Sequence, residues 1–211
     1  MDNPAQVVAP YAALLSRPSA EVVADLESFA ALLEKWNRVQ NLVSRETGSE
    51  VWIRHIADSL QLLPLLRETD RMLLDLGSGG GFPAIPIAIA CKGARQVILV
   101  ESNSKKASFL RTVSRETGLG LRVENERAED LADALPPVDV VTSRALAPLP
   151  LLLSLAAPFF GPATRGLFHK GREHVDEVAE SSAVWHYDVV HHPSVTDASG
   201  ILLEISNLRL K

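Results

Sequence analysis

Asp75 lies in an apolar run, Leu73-Leu74-Asp75-Leu76, that leads into Gly77-Ser78-Gly79-Gly80-Gly81-Phe82-Pro83. Glycines let a backbone adopt positive φ and approach a ligand with no Cβ in the way, and Pro83 can open a helix. The order is strand, loop, helix N-terminus. A second apolar run, Gln96-Val97-Ile98-Leu99-Val100, ends in Glu101. Glu101 lies about 20 residues beyond the last glycine, the separation at which an acidic side chain reaches a ribose hydroxyl beside such a turn. A third run is followed by Ala128 and Glu129, a backbone amide and a carboxylate placed to meet an adenine edge. One acidic group after each successive strand suits an adenosine with a positively charged tail. No Lys-Ser or Lys-Thr follows the glycines, which excludes a P-loop, and the third glycine is not spaced as in a dinucleotide fingerprint. A sulfonium-bearing nucleoside, S-adenosylmethionine, therefore fits better than a nicotinamide nucleotide. Asp75, Gly77, Gly79, Glu101, Ala128 and Glu129 are the candidate contacts.

These residues need a framework of strands to hold them. From Arg71 onward, candidate strands fall at Met72–Leu76, Gln96–Val100, Leu121–Glu126, Val138–Thr142, Gly166–Lys170, Tyr187–His191 and Ile201–Ser206. Helical segments, Ala84–Cys91, Ser104–Thr117, Leu149–Phe159 and Arg172–Ser181, separate most of them. Repeated units of this kind imply an α/β fold with a mostly parallel seven-stranded sheet covered on both faces. The short link between the last two strands implies a terminal antiparallel hairpin. Residues 1–68 carry no strand signal and read as an N-terminal helical cap on a core formed by residues 69–211. In the cap, Val22, Leu26, Phe29, Leu33 and Trp36 make one apolar stripe along a helix from about Ala20 to Leu42, with Ser19 as its N-cap. A second helix is expected from about Ser49 to Leu66.

Composition bounds the function. The chain has 211 residues, 46% of them hydrophobic, enough for one packed domain. Its single cysteine, Cys91, cannot form an intrachain disulfide and suits a reducing cytoplasm. No signal peptide is evident at Met1-Asp2-Asn3-Pro4. The uncharged stretch between Arg144 and Arg165 is broken by four prolines and reads as a buried helix, not a membrane span. The net charge of −5 argues against gripping naked nucleic acid by bulk electrostatics. The histidines form no metal set, so no metal is expected.

The glycine loop resembles the first motif of class I S-adenosylmethionine-dependent methyltransferases. The wider set is similar to one family among them, the bacterial 16S ribosomal RNA guanine-N7 methyltransferases, also called the glucose-inhibited division B family. The stretches that carry the resemblance are Lys35-Trp36-Asn37 with Asn41-Leu42-Val43-Ser44, Arg54-His55-Ile56-Ala57-Asp58-Ser59, and Asp75 to Pro86. Glu101-Ser102, Lys105-Lys106, Phe109-Leu110, Arg127-Ala128-Glu129, Ser143-Arg144-Ala145 and Lys170-Gly171 follow in family order. The resemblance implies a Rossmann-like methyltransferase fold. It also implies cofactor contacts at Gly77, Phe82, Ala128, Glu129 and Arg144, with Glu101 on the ribose. Two departures stand out: Ala84 replaces a frequent glycine, and Gly200-Ile201-Leu202-Leu203 lacks the Arg-His that often opens that strand.

The acceptor is narrowed by chemistry. The Asn/Asp-Pro-Pro-aromatic loop used for exocyclic amines is absent, since the fourth strand leads into Thr142-Ser143-Arg144-Ala145-Leu146-Ala147. Methylating a pyrimidine carbon requires a cysteine nucleophile, and Cys91 lies on an apolar helix. Guanine N7 has an in-plane lone pair and no proton, so alignment and exclusion of water suffice and no general base is needed. Arg144, Asp58 and His55 are the candidate catalytic residues, with Asp58 as an electrostatic partner for the purine as it gains charge. Asn37, Arg38, Arg54 and Lys170 are the candidate RNA contacts, and Lys105, Lys106, Arg111 and Arg115 form a basic helix face. By resemblance, the target is the guanine of the 530 loop (position 527 in the usual 16S numbering), methylated within an assembling small subunit. A small-molecule methyltransferase and a non-catalytic ribosome-binding protein of the same fold are the alternatives.

Overall fold

The computed structural model describes residues 3–43 and 50–211. Seven strands form one sheet: β1 Met72–Leu76, β2 Gln96–Val100, β3 Arg122–Glu124, β4 Val140–Arg144, β5 Arg165–Lys170, β6 Trp185–Pro193 and β7 Ile201–Leu210. Their spatial order is β3-β2-β1-β4-β5-β7-β6. The first five are parallel, and β7 runs antiparallel to both β5 and β6. The sheet reverses its winding between β1 and β4, the crevice where open α/β sheets bind ligands.

Period-two alternation sorts the strand residues between two cores. Leu73, Val97, Val140 and Leu167 face one side, and their sequence neighbours Leu74, Ile98, Val141 and Phe168 face the other. The first side is covered by α1 (Pro4–Val8), α2 (Ser19–Asn37), α4 (Ala84–Ala90) and α5 (Ser104–Thr117), with α3 (Asp58–Leu60) beside them. The second is covered by α6 (Leu149–Ala156), with α7 (His174–Ser181) packed against α6. The N-terminal helices therefore share a core with the sheet. Phe29 on α2 is fully buried between Phe82 and Phe109, with ring centroids at 5.3 and 6.4 Å.

Local chemistry sets the helix ends. The Asn103 side chain caps α5 by accepting from the amides of Lys105 and Lys106, and Gly118 closes the helix in the left-handed conformation at φ 60°. α2 departs from expectation at both ends. Ser19 is its first helical residue instead of its cap, and Pro18 precedes it without a side-chain bond. The helix stops at Asn37, not Leu42, because Asn37 Oδ1 turns back to accept from the Leu42 and Val43 amides at 2.9 and 3.0 Å.

Other boundaries also differ. The single helix expected from Ser49 to Leu66 is a π-helical segment, Trp52–Ala57, followed by α3 and a short 3₁₀ turn at Leu63–Leu65. Its expected start at Ser49, and Ser44 and Arg45, lie outside the described residues. β4 begins at Val140, two residues later than expected, because Asp139 Oδ2 accepts from the amides of Arg71 and Met72 and so serves as a cap, not a strand residue. β6 and β7 are longer than expected because they pair with each other along nearly their full length.

Candidate active site

The glycine loop adopts the backbone that its composition demands. Gly77 and Gly81 have φ of +68° and +91°. A Cβ on Gly77 would meet Leu146 Cδ1 at 2.5 Å, and one on Gly81 would meet Ile85 Cδ1 at 2.4 Å. The loop is tied to β2 by Glu101, a buried residue whose Oε2 accepts from the Gly79 amide and Oε1 from the Asn103 amide, both at 2.8 Å. Each oxygen keeps a second lone pair for a ligand. Asn125 Nδ2 supports the turn after β2 by donating to the Glu101 and Ser102 carbonyls.

Beside this loop is a cavity of about 460 Å³, lined by Gly77, Glu101, Lys106, Ala128, Glu129 and Ala145 to Ala147, with Leu151 and Leu155 as its apolar side. Small-molecule sites span roughly 300–1,000 Å³. The structure thus brings Gly77, Glu101, Ala128 and Glu129 together. Lys106, Leu146, Leu151 and Leu155 were not anticipated as cavity walls. The apolar face of the Leu149–Phe159 run was the only signal that could have found the two α6 leucines.

Asp75 lies behind the loop. It is 1% exposed, and its Oδ1 accepts from Thr142 Oγ1 at 2.7 Å, while Oδ2 has no partner among the described residues. Burial pushes its carboxyl up to about 7, against the opposing bond from Thr142 and the nearby Ser78 hydroxyl, which donates to the Asp75 main-chain carbonyl. Phe82 is also buried. It packs on Phe29, stacks on His55 at 4.8 Å, and carries the Arg144 guanidinium over its face at 5.1 Å. Asp75, Gly79, Phe82 and Arg144 therefore lie outside the lining of the cofactor-sized cavity and support it from behind.

Arg144 ends β4 and joins the sheet to the N-terminal cap. Nη1 donates to Asp58 Oδ2 at 3.0 Å and to the Arg54 carbonyl at 2.9 Å, and Nη2 donates to His55 Nδ1 at 2.6 Å. Its ionic partner is Asp58. An arginine can only donate, so His55 Nδ1 is unprotonated and its proton sits on Nε2. Burial, followed by the Arg144 charge, holds the ring near 4 and keeps it neutral. Asp58 Oδ1 accepts from Gln61 Nε2 and Thr196 Oγ1, both at 2.7 Å. Its main-chain carbonyl accepts from His169 Nε2 at 2.8 Å, and burial lowers the pKa of that ring as well. Gln61, His169 and Thr196 had no motif to reveal them, because they meet only through the packing of α3, β5 and the β6–β7 turn.

A second cavity, about 250 Å³, lies beyond Arg144. Asp58, Arg144, His169, Lys170 and Gly171 line one part of it, and the β6–β7 turn lines another. Ala145, at φ 54°, belongs to the walls of both cavities. The remaining candidates hold other positions. Lys170 is 7% exposed and donates to the Ala147 carbonyl at 2.9 Å and to Glu177 at 2.5 Å. Asn37 braces the chain after α2. Arg38 and Arg54 are exposed, each paired with a glutamate one turn earlier, Glu34 and Glu50. Cys91 is buried, receives a bond from Arg95 Nη1, and burial raises its pKa. Among the described residues, no cluster of histidine, cysteine and acidic side chains could hold a metal ion. Among the described residues, no helix is long and apolar enough to cross a membrane.

Comparison with known proteins decides the family. The family model described as rRNA small subunit methyltransferase G matches residues 22–203. The chain belongs to that family. A ribosomal RNA small subunit methyltransferase G from Rhodospirillum centenum is 48% identical over 190 residues, covering 90% of this chain and 86% of that one. Another from Bartonella tribocorum is 44% identical over 193 residues, covering 90% of each chain. Among solved structures, an O-methyltransferase from Bacillus cereus, in complex with SAH, superposes with a TM-score of 0.58 at 15% identity and covers 96% of this chain and 97% of that one. A ribosomal protein L11 methylase from Lactobacillus delbrueckii gives 0.56 at 16% over 72% and 78%. At these identities the superpositions speak for the class I Rossmann-like fold alone.

As a methyltransferase of this family, the protein uses S-adenosylmethionine. The larger cavity fits that molecule: three carboxylates, Glu101, Glu126 and Glu129, against two cations, Lys106 and Arg127, for a cationic nucleoside, an apolar wall for a purine, and a glycine where a side chain would meet Leu146.

Proposed function

We propose that this methyltransferase modifies N7 of a guanine in the 530 loop of 16S ribosomal RNA, in the cytoplasm and on an assembling small subunit. The observation that carries the reading is the pair of cavities separated by Ala145, one of cofactor size and one beyond Arg144 that opens toward the cap and the hairpin turn. Gly77, Glu101, Ala128 and Glu129 would hold S-adenosylmethionine, which supplies an electrophilic methyl on sulfur. With it bound, Glu101 would accept from ribose hydroxyls through its remaining lone pairs, the Ala128 amide would meet the adenine edge, and Leu151 and Leu155 would cover the purine.

The groups around the second cavity support an acceptor that surrenders no proton. His55 spends its only ring lone pair on Arg144. Both Asp58 oxygens already accept bonds from Arg144, Gln61 and Thr196. Asp75 is sealed beneath the loop. His169 Nε2 donates to the Asp58 carbonyl, and its Nδ1, which keeps a lone pair, is buried and sealed from the cavity. None of these is poised as a general base, and guanine N7 requires none. Arg144, fixed by Asp58 and His55 and braced on Phe82, holds the acceptor against the shared wall. Asp58 balances the positive charge gathered there. Displacement of water by the entering base strengthens these interactions.

Mass spectrometry of 16S ribosomal RNA from cells lacking the gene tests the assignment. The expected result is loss of one 7-methylguanine in the 530 loop, restored by the wild-type gene and not by Arg144→Ala. Retention of the modified base rejects it. Methyl transfer by the purified protein to small subunits or 16S RNA, but not to small metabolites, separates this reading from a small-molecule enzyme.

A further inference from the structure

The loop that forms the common wall, Arg144 to Pro148, is held at both ends. Arg144 fixes its start through Asp58 and His55. At its far end, Lys170 Nζ donates to the Ala147 carbonyl at 2.9 Å. Lys170 is itself held by Glu177 on α7, whose Oε2 lies 2.5 Å from Nζ and accepts from the Leu149 amide at 2.8 Å. α6 has no capping side chain of its own, since Pro148 precedes it, and Leu149 is fully buried. A single carboxylate oxygen thus caps α6 and anchors the lysine that grips the loop. Glu177 lines neither cavity.

We propose that Glu177 is a positioning residue for methyl transfer: acting through Lys170 and the first amide of α6, it sets the loop that walls off the cofactor from the acceptor. The proposal rests on the reading of the larger cavity as the cofactor site. Leu146 and Ala147 line that cavity and Ala145 lines both, so release of the clamp displaces contacts on each side. Displacements of about 1 Å from productive geometry can cost on the order of 100-fold in rate.

Glu177→Ala and Glu177→Gln test this. The glutamine keeps an acceptor oxygen that both Lys170 and Leu149 can use, whereas alanine removes it. Calorimetry measures S-adenosylhomocysteine affinity at a temperature well below each variant's unfolding midpoint, and kcat and KM are measured with small subunits. Alanine is expected to weaken S-adenosylhomocysteine by about 10-fold or more and to lower kcat more than it raises KM. Glutamine should recover most of both losses. Glu177→Ala that melts earlier but binds and turns over like the wild type makes the residue structural only and overturns the proposal. Gly77→Ala separates this failure from the other: binding lost with Gly77→Ala but intact in Glu177→Ala overturns the clamp alone. Binding that survives Gly77→Ala puts the cofactor elsewhere and removes both readings.

Discussion

Two buried residues make opposite demands on pH. Asp75, raised by burial to about 7 from 3.8, keeps its proton in the folded chain where the unfolded chain has lost it. Between those values the native state binds the extra proton, so this group's contribution to stability falls as pH rises. His55, held near 4 against 6.5, behaves the other way: the unfolded chain gains a proton that the folded chain refuses, and stability falls as pH drops from 6.5 toward 4. His169 adds to the His55 trend. Across about pH 4 to 6.5 the two trends offset each other and flatten the wild-type profile. Asp75→Asn mimics the protonated acid and can still accept from Thr142. Its stability gain over wild type is expected to grow from near zero at about pH 4 to as much as ~4 kcal/mol at about pH 8. Urea unfolding at both pH values checks this, and an equal difference at each would show that Asp75 is ionised throughout. Proton NMR should find the His55 ring silent until about pH 4. None of this was legible in the sequence, where Asp75 reads simply as an acid beside a glycine turn. The packing of Thr142 and β4 sets it beneath the loop.

At the scale of elements, the sequence was informative where one segment determines its own structure. β1, β2 and α5 have their expected boundaries, because an apolar run between breakers, or an Asn cap and a terminal glycine, is local information. It was misleading where a distant partner decides. β4 starts late because Asp139 turns toward Arg71, and Lys170, expected at the rim, lines the second cavity with its ammonium held by Glu177 from the next helix. Asn37 is an intermediate case. As a polar residue at a helix end it suggested either an RNA contact or a bond to the following loop, and its oxygen bonds two amides that direct the chain toward the glycine loop, where the Leu42 carbonyl lies 3.1 Å from the Cβ position of Gly80. Asn37→Ala is therefore expected to destabilise the fold by about 1–3 kcal/mol, the cost of stranding those donors. Asn37→Asp, which keeps an acceptor, should lose far less. Chemical denaturation of both variants measures the difference. Equal and negligible losses would return Asn37 to the RNA-facing surface.

For the whole molecule, the difficulty is charge. A net −5 opposes a polyanionic substrate, so RNA must be met by local basic surface. α5 offers it: Lys105 and Arg115 are exposed on the helix that begins just after Glu101, and Lys106 reaches the cofactor-sized cavity. An array so placed would set the RNA backbone beside the methyl donor while the acidic remainder repels unproductive orientations. Each phosphate contact contributes roughly 0.7–0.9 to the slope of log affinity against log salt. Lys105→Ala combined with Arg115→Ala should therefore lower that slope by about 1.4–1.8 for 16S RNA or small subunits, if both cations meet phosphate. S-adenosylhomocysteine affinity should stay unchanged, because neither residue lines its cavity. Salt titrations of binding for wild type and double variant give the two slopes directly. An unchanged slope would mean that α5 faces solvent in the complex, and that the charge-compensating surface lies on the cap, where Arg38 and Arg54 are exposed.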